Sequence, residues 1–171
     1  MQGIPSKINM FNLYRDTNVL SGITEEVTLP DFEAMSETIS GPGILGEIDD
    51  PTIGHFGSQE MEIPFRAYNE DAFSMMNPGN NVNITLRGSI QVTTSGGGVD
   101  YVGMRVIVRG KCKSFTGGTV KQGAAMSSSV KLELTYIRID LDGKCKVELD
   151  KLNSIFKLNG VDILAKARSL C

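Results

Sequence analysis

The sequence predicts a mainly β protein of the α+β class, built as an antiparallel β-sandwich or barrel with two short helices and one long extended hairpin arm. Three observations support this fold class. Apolar and polar residues alternate over segments of more than ten residues, whereas a typical strand has about five or six. Helical signals are confined to two short segments. A stretch rich in Gly and Pro, residues 36–58, follows neither the period of a strand nor that of a helix.

The N-terminal third predicts strands at 8–13 and 23–29, separated by a turn at 18–22 and ended by Pro30. A strand at 59–66 follows the arm and places Met61, Ile63 and Phe65 on one face. We then expect a short helix near 69–77. Asn69 would cap it, acidic residues fill its first turn, and the sequence Asn-Pro-Gly at 77–79 stops it.

Two long strands are predicted at 82–93 and 101–114, joined by a glycine-rich turn at 95–98. After a loop at 115–129, a long hairpin covers 130–150. The chain then ends in a helix near 162–170, with Asp162 as a plausible N-cap and Lys166 and Arg168 near its C-terminus.

The final hairpin allows a prediction of register. A three-residue loop at 141–143 would pair Ile139 with Cys145 and Ile137 with Val147, and it would place Arg138 opposite Lys146. The apolar positions also change from even to odd between Tyr136 and Ile137, and such a change predicts a bulge or a strand shared by two layers.

The arm predicts a contact between subunits. It carries five large apolar residues that an irregular segment cannot bury against itself, and an exposed apolar patch of that size is typical of an interface. We therefore expect a neighbouring subunit to cover these interface residues, which are Ile44, Leu45, Ile48, Ile53 and Phe56.

Length and composition are those of a single domain, 1–171. The net charge of −3 and a pI near 5.2 provide no basic surplus, which disfavours direct nucleic-acid binding. Cys112, Cys145 and Cys171 lack the spacing of a zinc site or a disulfide framework, so a reduced, cytoplasmic history is expected. No signal sequence or membrane anchor is apparent.

No catalytic, cofactor or metal site is predicted, and the chain is not expected to be an enzyme. Residues 41–46 match the dinucleotide pattern G-x-G-x-x-G, but the acidic segment that follows is no helix and would repel a phosphate. His55 has no nucleophile or carboxylate at a suitable spacing. The carboxylates do not have calcium-loop spacing.

The order of short segments along the chain is informative. VRGK at 108–111, YIR at 136–138, DGK at 142–144, ELD at 148–150 and NGVD at 159–162 are individually weak and jointly specific. Together with the opening segment 7–13, they resemble the major tail tube proteins of contractile-tailed bacteriophages, a family shared with phage-tail-like bacteriocins. The resemblance covers nearly the whole chain.

That resemblance implies a structural protein of the virion tail. Six subunits would form each ring, four strands per subunit would build an inner barrel, and the stacked rings would make a hollow tube that conducts DNA or ions. Expected partners are the tail sheath, baseplate and terminator proteins, with a tape measure protein or DNA in the lumen without specific binding. Assembly would occur in the host bacterial cytoplasm.

Three alternatives remain open at this point. One is a tube protein of the type VI secretion kind, which has a related ring fold. Another is a monomeric ligand-binding β-sandwich with a concave apolar pocket. The third is a hydrolase that uses His55.

Overall fold

The structure is a computed structural model that describes residues 3–24 and 26–171, and within them an antiparallel sheet of nine strands forms the body. These residues form eleven strands and two short helices. The elements are β1 (Ile4–Arg15), β2 (Asn18–Val19), β3 (Ala34–Ile39), β4 (Ile48–Phe56), β5 (Glu60–Phe65), α1 (Glu70–Met75), β6 (Val82–Thr93), β7 (Val99–Thr116), β8 (Ser128–Leu141), β9 (Lys144–Asp150), β10 (Ile155–Leu158), β11 (Val161–Asp162) and α2 (Ala165–Arg168).

The order of strands in the main sheet is β11-β10-β9-β8-β7-β6-β1-β2, and β5 pairs with β8 outside this path. The long strands predicted at 82–93 and 101–114 are confirmed. β6 pairs with β7 without interruption from Val82 opposite Gly110 to Thr93 opposite Val99. Alternate side chains of these strands enter one core, as the period of two requires. Its largest fully buried members include Leu13, Met61, Ile63, Phe65, Ile84, Val108, Leu132, Leu134 and Ile137.

β8 has two successive partners along one side. Its first half pairs with β5 and its second half with β9, while β7 runs along its other side. Arg109 pairs with Tyr136 and Gly110 with Leu134, so Thr135 bulges out of the ladder. The buried face changes at this bulge from Leu134 to Ile137, which confirms the change of phase predicted from the sequence.

The predicted strand at 23–29 is wrong. The described part of this segment makes only two isolated bridges to β5, Ile23 opposite Phe65 and Thr28 opposite Glu62; Glu25 lies outside the described residues. The segment advances from 23 to 28 while β5 advances only from 62 to 65. A ladder needs equal steps on both strands, so this mismatch prevents continuous pairing.

The predicted three-residue loop of the last hairpin is also wrong. Asp142 and Gly143 both have positive φ, 52° and 72°, as a two-residue type I′ turn requires. Leu141 pairs with Lys144, Asp140 with Cys145 and Ile139 with Val147, while Ile137 pairs with Leu149 and Arg138 with Glu148. Between these pairs β9 therefore has one residue more than β8, and this residue, Lys146, bulges out of β9. Beyond the bulge, the apolar side chains of the two strands again lie on the same face of the sheet.

The first predicted helix is confirmed. In α1, the side-chain oxygen of Asn69 accepts a hydrogen bond from the Ala72 amide at 2.8 Å and caps the helix. The second helix is shorter than the predicted 162–170. Asp162 belongs to β11, where it pairs with Lys157, and its carboxylate binds the Leu164 amide and the Arg168 side chain. Strand pairing at Asp162 therefore delays the start of α2.

Candidate assembly surfaces

The predicted hairpin arm stands apart from the main sheet. β3 and β4 pair with each other in a separate two-stranded sheet, and every residue of β3 is exposed. The loop between them holds Gly41, Gly43 and Gly46, all with positive φ. The G-x-G-x-x-G match is thus the tip of a hairpin, and β4, not a helix, follows it.

The five predicted interface residues lie along this arm. Leu45 at the tip is fully exposed, and Ile48 and Ile53 are more than half exposed. Ile44 and Phe56 are half-buried. Four of these residues thus lie on a hairpin that protrudes from the fold, and Phe56 lies at its base, where it packs against its own subunit.

Aromatic contacts fix the base of the arm. The Phe56 ring lies between Phe32, at a centroid distance of 5.5 Å, and Phe156 of β10, at 5.2 Å. A Cβ atom on Gly54 would come within 2.6 Å of the Leu164 side chain, so the strand approaches the C-terminal segment closely. Sequence reasoning missed Phe32 and Phe156, because no local pattern links these remote positions.

The arm is acidic. Four carboxylates, those of Glu37, Glu47, Asp49 and Asp50, lie within residues 36–58, and this segment contains no Lys or Arg. The Thr38 hydroxyl donates a hydrogen bond to Asp49 at 2.6 Å across the two strands. The whole chain has 17 basic and 20 acidic residues, so the rest of the chain outside the arm contains 17 basic and 16 acidic residues.

Two open strand edges flank the body. β2 covers β1 only at Tyr14 and Arg15, so among the described residues no strand covers the outer edge of β1 at 4–12. On β7, pairing with β8 begins at Met104 and leaves 99–102 uncovered in the same way. Several large apolar side chains near these edges are exposed: Ile4, Ile8, Met10, Val99 and Tyr101. Long unpaired edges are templates for pairing with another chain.

An apolar groove lies beside the β1 edge. It has a volume of about 420 Å³. One wall is the segment 26–29, with Glu26, Val27 and Leu29, and the other wall and floor belong to the sheet, with Ile8, Asn9, Phe11, Leu86 and Met104. Two surfaces at this edge, the open strand and the groove, can therefore receive another chain.

The face of the sheet that points away from the core carries a charged cluster. Asp140, 2% exposed, accepts hydrogen bonds from Arg105 Nε at 2.9 Å and from Arg138 Nε at 2.8 Å. Burial raises the pKa of Asp140, but the bonds from Arg138 and Arg105 outweigh it and hold the pKa below its ordinary value. Arg109 lies 4.0 Å from the centre of the Tyr136 ring. These contacts tie β7 to β8 and stiffen the sheet.

The other residues considered for chemistry are dispersed. His55 is exposed on β4, and the glycine run at 96–98 belongs to the turn between β6 and β7. Cys112 and Cys145 are half-buried free thiols on strands, while Cys171 is an exposed one. Within 3–24 and 26–171, no three His, Cys, Asp or Glu side chains cluster where they could hold a metal ion. The helices of this part of the chain are too short or too polar to cross a membrane.

Sheet edges without partners, a protruding arm and an apolar groove are typical of a structural protein that assembles with other chains. Comparison with known proteins supports this class of protein. Residues 5–170 match the family described as Phage tail tube protein FII, and the chain belongs to this family. It is therefore a structural tail tube protein, a component of the virion tail, and the resemblance noted in the sequence is confirmed.

Individual relatives support the assignment, and a solved structure shares the fold. The tail tube protein of Escherichia phage P2 is 30% identical over 96% of this chain and 96% of its own length. The major tail tube protein of Serratia phage KSP20 is 26% identical over 94% of this chain and 91% of its own. The fold is similar to the PVC sheath/tube terminator of an extracellular contractile injection system in its extended state. The TM-score is 0.59 at 13% identity, covering 80% of this chain and 96% of that one.

Proposed function

We propose that this tail tube protein forms six-membered rings that stack into the rigid inner tube of a contractile phage tail or phage-tail-like particle. The chain acts as a single domain, 1–171, whose arm at 36–58 spans subunits. A sheath surrounds the tube, a baseplate and a terminator hold its ends, and the tube is driven through the target envelope on contraction.

The lumen has a passive role in this proposal. A tape measure protein or DNA occupies it without specific binding, and DNA or ions pass through it. The tube assembles in the cytoplasm of the host bacterium. A protein with this role has no need of a catalytic site.

The observation that carries the proposal is the pair of open edges on one sheet, 4–12 on β1 and 99–102 on β7. Each leaves backbone N–H and C=O groups without strand partners in the described fold, and such groups are normally paired. The two edges lie on opposite sides of the three-stranded segment β7-β6-β1, so pairing of the β1 edge of one copy with the β7 edge of the next is a head-to-tail contact. Head-to-tail contacts close into rings when the rotation between copies allows it.

The arm supplies the second contribution. Burial of a large apolar side chain stabilises an interface by about 1.5–3 kcal/mol when it is complete. Ile48 and Ile53 are more than half exposed and Leu45 is fully exposed, so most of this stabilisation is available to contacts between subunits. A tube held by both strand edges and arms resists bending, which its passage through an envelope requires.

The alternatives make different predictions. The family match favours a phage tube over one of the type VI secretion kind. A monomeric ligand-binding β-sandwich would keep its pocket enclosed, whereas the groove here opens beside an unpaired strand. A hydrolase that depends on His55 requires that His55→Ala abolish a measurable activity, while the tube protein requires that His55→Ala assemble normally.

Negative-stain electron microscopy of the concentrated protein tests the proposal. Sheared tubes, recovered from the same preparation or from particles, are added as nuclei so that a missing baseplate does not prevent growth. We expect six-fold rings and striated tubes from the wild-type chain, and only folded monomers from Ile44→Asp. Wild-type monomers that persist with nuclei present would refute the tube. Normal tubes from Ile44→Asp would refute the role of the arm.

A further inference from the structure

The free face of the main sheet, which points away from the core, carries a row of charged side chains. Arg87 of β6 pairs with Arg105 of β7, and Arg105 pairs with Asp140 of β8. Residues directly opposite on neighbouring strands share a face, so these three side chains lie in one line. Arg109 and Arg138 are on the same face, because each lies an even number of residues from a member of the row. Four arginines thus surround one carboxylate, in a chain whose net charge is −3.

The neighbouring carboxylates do not balance these arginines. Asp140 is 2% exposed and accepts hydrogen bonds from both Arg105 and Arg138, so two guanidinium groups share one negative charge. The next carboxylate on this face, that of Glu148 in β9, accepts a hydrogen bond from the Lys157 ammonium at 3.0 Å. A surplus of positive charge therefore remains on the free face, and it is local, since the chain as a whole is acidic.

A recess of about 350 Å³ opens between Arg87 and Arg105. Three glycines line it, Gly88, Gly103 and Gly143. Gly103 lies on the free face two residues before Arg105, and a Cβ atom there would meet no heavy atom within 4 Å. The recess therefore depends on the missing side chain at Gly103, and it leaves both guanidinium groups open to a ligand from the free face.

We infer that this recess binds a phosphate group of the nucleic acid that passes through the lumen. The inference rests on the proposed ring and tube and adds a contact to the wall of the lumen. Arg87 is exposed and makes no hydrogen bond or ion pair within the described part of the chain, where it contacts only the Tyr14 ring. Arg105 uses Nε and Nη2 for Asp140, and its other N–H groups remain available.

An anion in the recess would also relieve a repulsion. Arg87 and Arg105 are directly opposite each other, and like charges at opposite positions of two strands destabilise their pairing. A phosphate between the two guanidinium groups would receive charged hydrogen bonds from both. Asp140 repels it little, because this carboxylate is buried beneath two arginines.

The free face becomes the inner wall when copies join edge to edge. Residues of β5, α1 and the segment after β2 pack on the other face of the sheet, in one core with Leu13, Ile84 and Val108. The greater part of each subunit thus lies on the core side. A closed barrel has more room outside than inside, so a ring joined through the β1 and β7 edges places this bulk outward and the arginines inward.

Nucleic acid fits a stack of rings better than an acidic protein does. Duplex DNA carries one negative charge per about 1.7 Å of its axis, so a phosphate lies within reach of every ring. The carboxylates of a protein in the lumen would need a matching spacing in its sequence. A contact to phosphate reads no base and lets the polymer slide, which is compatible with a conduit that binds no particular sequence.

Fluorescence anisotropy with a labelled DNA duplex at low salt tests the inference on the full chain before nuclei are added, when the free face is open. Arg87→Gln should weaken binding about 10-fold and lower the slope of log affinity against log salt by about 1. Gly103→Val fills the recess without a change of charge and should weaken binding to a similar extent. The matched control, Lys166→Gln, removes a positive charge from an exposed residue of α2 and should bind as wild type does.

All variants are compared at a temperature where circular dichroism shows them folded. Equal loss of binding in Arg87→Gln and Lys166→Gln would overturn the site, because only net charge would then matter. Wild-type affinity in Gly103→Val would overturn the recess as its location. Poly-glutamate that displaces the labelled duplex as well as unlabelled DNA does, at equal charge, would overturn phosphate as the ligand.

Electron microscopy of the same proteins separates this inference from the proposed function. Wild type and Arg87→Gln should both form tubes when nuclei are added. Normal tubes together with wild-type DNA affinity in Arg87→Gln would overturn the phosphate site and leave the tube intact. A wild-type chain that forms no rings or tubes with nuclei present would overturn the tube and its lumen, whereas the anisotropy result still decides whether the recess binds phosphate.

Discussion

The ring of Phe56, at the base of the arm, packs edge-on against Phe156 of β10, with the ring centroids 5.2 Å apart and the planes inclined at 70°. This is a favourable geometry for two aromatic rings. Phe32 contacts the other side of Phe56. The arm is thus joined to the body by an aromatic cluster, although it shares no ladder with the main sheet, and its direction depends on that cluster.

Loss of the cluster should release the arm. Phe156→Ala removes a nearly buried ring, and we expect a loss of about 3 kcal/mol of unfolding free energy. Backbone amides of β3 and β4 should exchange hydrogen faster because the hairpin has lost its support. The control is Phe73→Ala, which removes a half-exposed ring that contacts Tyr68 edge-on and Phe115 in a tilted arrangement. It should leave arm exchange unchanged; equal exchange in both variants would contradict the anchoring role.

The Asp140 cluster should make stability depend on pH. Arg138 and Arg105 hold the pKa of Asp140 below its ordinary value, so the unfolded chain takes up the proton first as the pH falls. The stabilisation is complete above the unfolded pKa of about 3.9 and disappears as the pH falls through the folded value.

Urea unfolding of Asp140→Asn measures this effect. At pH 7 we expect the variant to be about 2 kcal/mol less stable than wild type, because a carboxylate that accepts two charged hydrogen bonds becomes a neutral amide. The difference should shrink toward pH 3. The control is Arg87→Gln, which removes an arginine that contacts Tyr14. Its unfolding free energy should change with pH as that of wild type does. A difference that stays constant from pH 7 to pH 3 would rule out the linkage.

The bulge at Thr135 leaves no room for a side chain on β7. A Cβ atom on Gly110 would collide with the carbonyl oxygen of Glu133, and the backbone must shift to avoid it. Gly110→Ala should therefore destabilise the fold by about 1–3 kcal/mol. Gly103→Ala, on the same strand with no heavy atom near its Cβ position, should be nearly neutral or stabilising. Equal thermal midpoints for the two variants would show that the strands adjust freely.

The cap of α1 should have a measurable effect on stability. Asn69 accepts a hydrogen bond from the Ala72 amide and donates one to the Ser21 carbonyl at 3.1 Å. Asn69→Ala should cost about 1 kcal/mol in chemical unfolding. Asn69→Asp keeps the side-chain oxygen that accepts from the Ala72 amide and loses only the bond to Ser21. Its unfolding free energy should therefore lie between those of wild type and Asn69→Ala. If Asp is no better than Ala, capping is not the source of the effect.

The sequence predicted the long strands and the main core well, because strict alternation over many residues has one structural solution. β6 matches the predicted 82–93, and Met61, Ile63 and Phe65 are all buried. The prediction of the turn in the last hairpin was wrong for a physical reason. The additional residue on one side of the hairpin can lie either in the turn or in the strand. Both arrangements place the apolar side chains of the two strands on the same face, so only packing decides between them.

Other errors came from long-range contacts. The segment 23–29 alternates like a strand, but its partner β5 advances by fewer residues between the two bridges. Asp162 has the local signals of a helix cap, yet it pairs with Lys157 in β11. The arm was predicted from its Gly- and Pro-rich, aperiodic sequence and its interface role from its apolar residues, whereas its anchor, Phe156, lies 100 positions beyond Phe56 and leaves no trace in the local sequence.

Sedimentation velocity of Leu45→Asp tests the central claim most directly, since this change alters only a fully exposed side chain at the arm tip. Val120→Asp makes the same kind of change on another strongly exposed apolar residue. With nuclei present, we predict that wild type and Val120→Asp sediment as rings and tubes, while Leu45→Asp remains a folded monomer. Leu45→Asp assembling to the same extent as wild type would contradict the claim that the arm builds the tube.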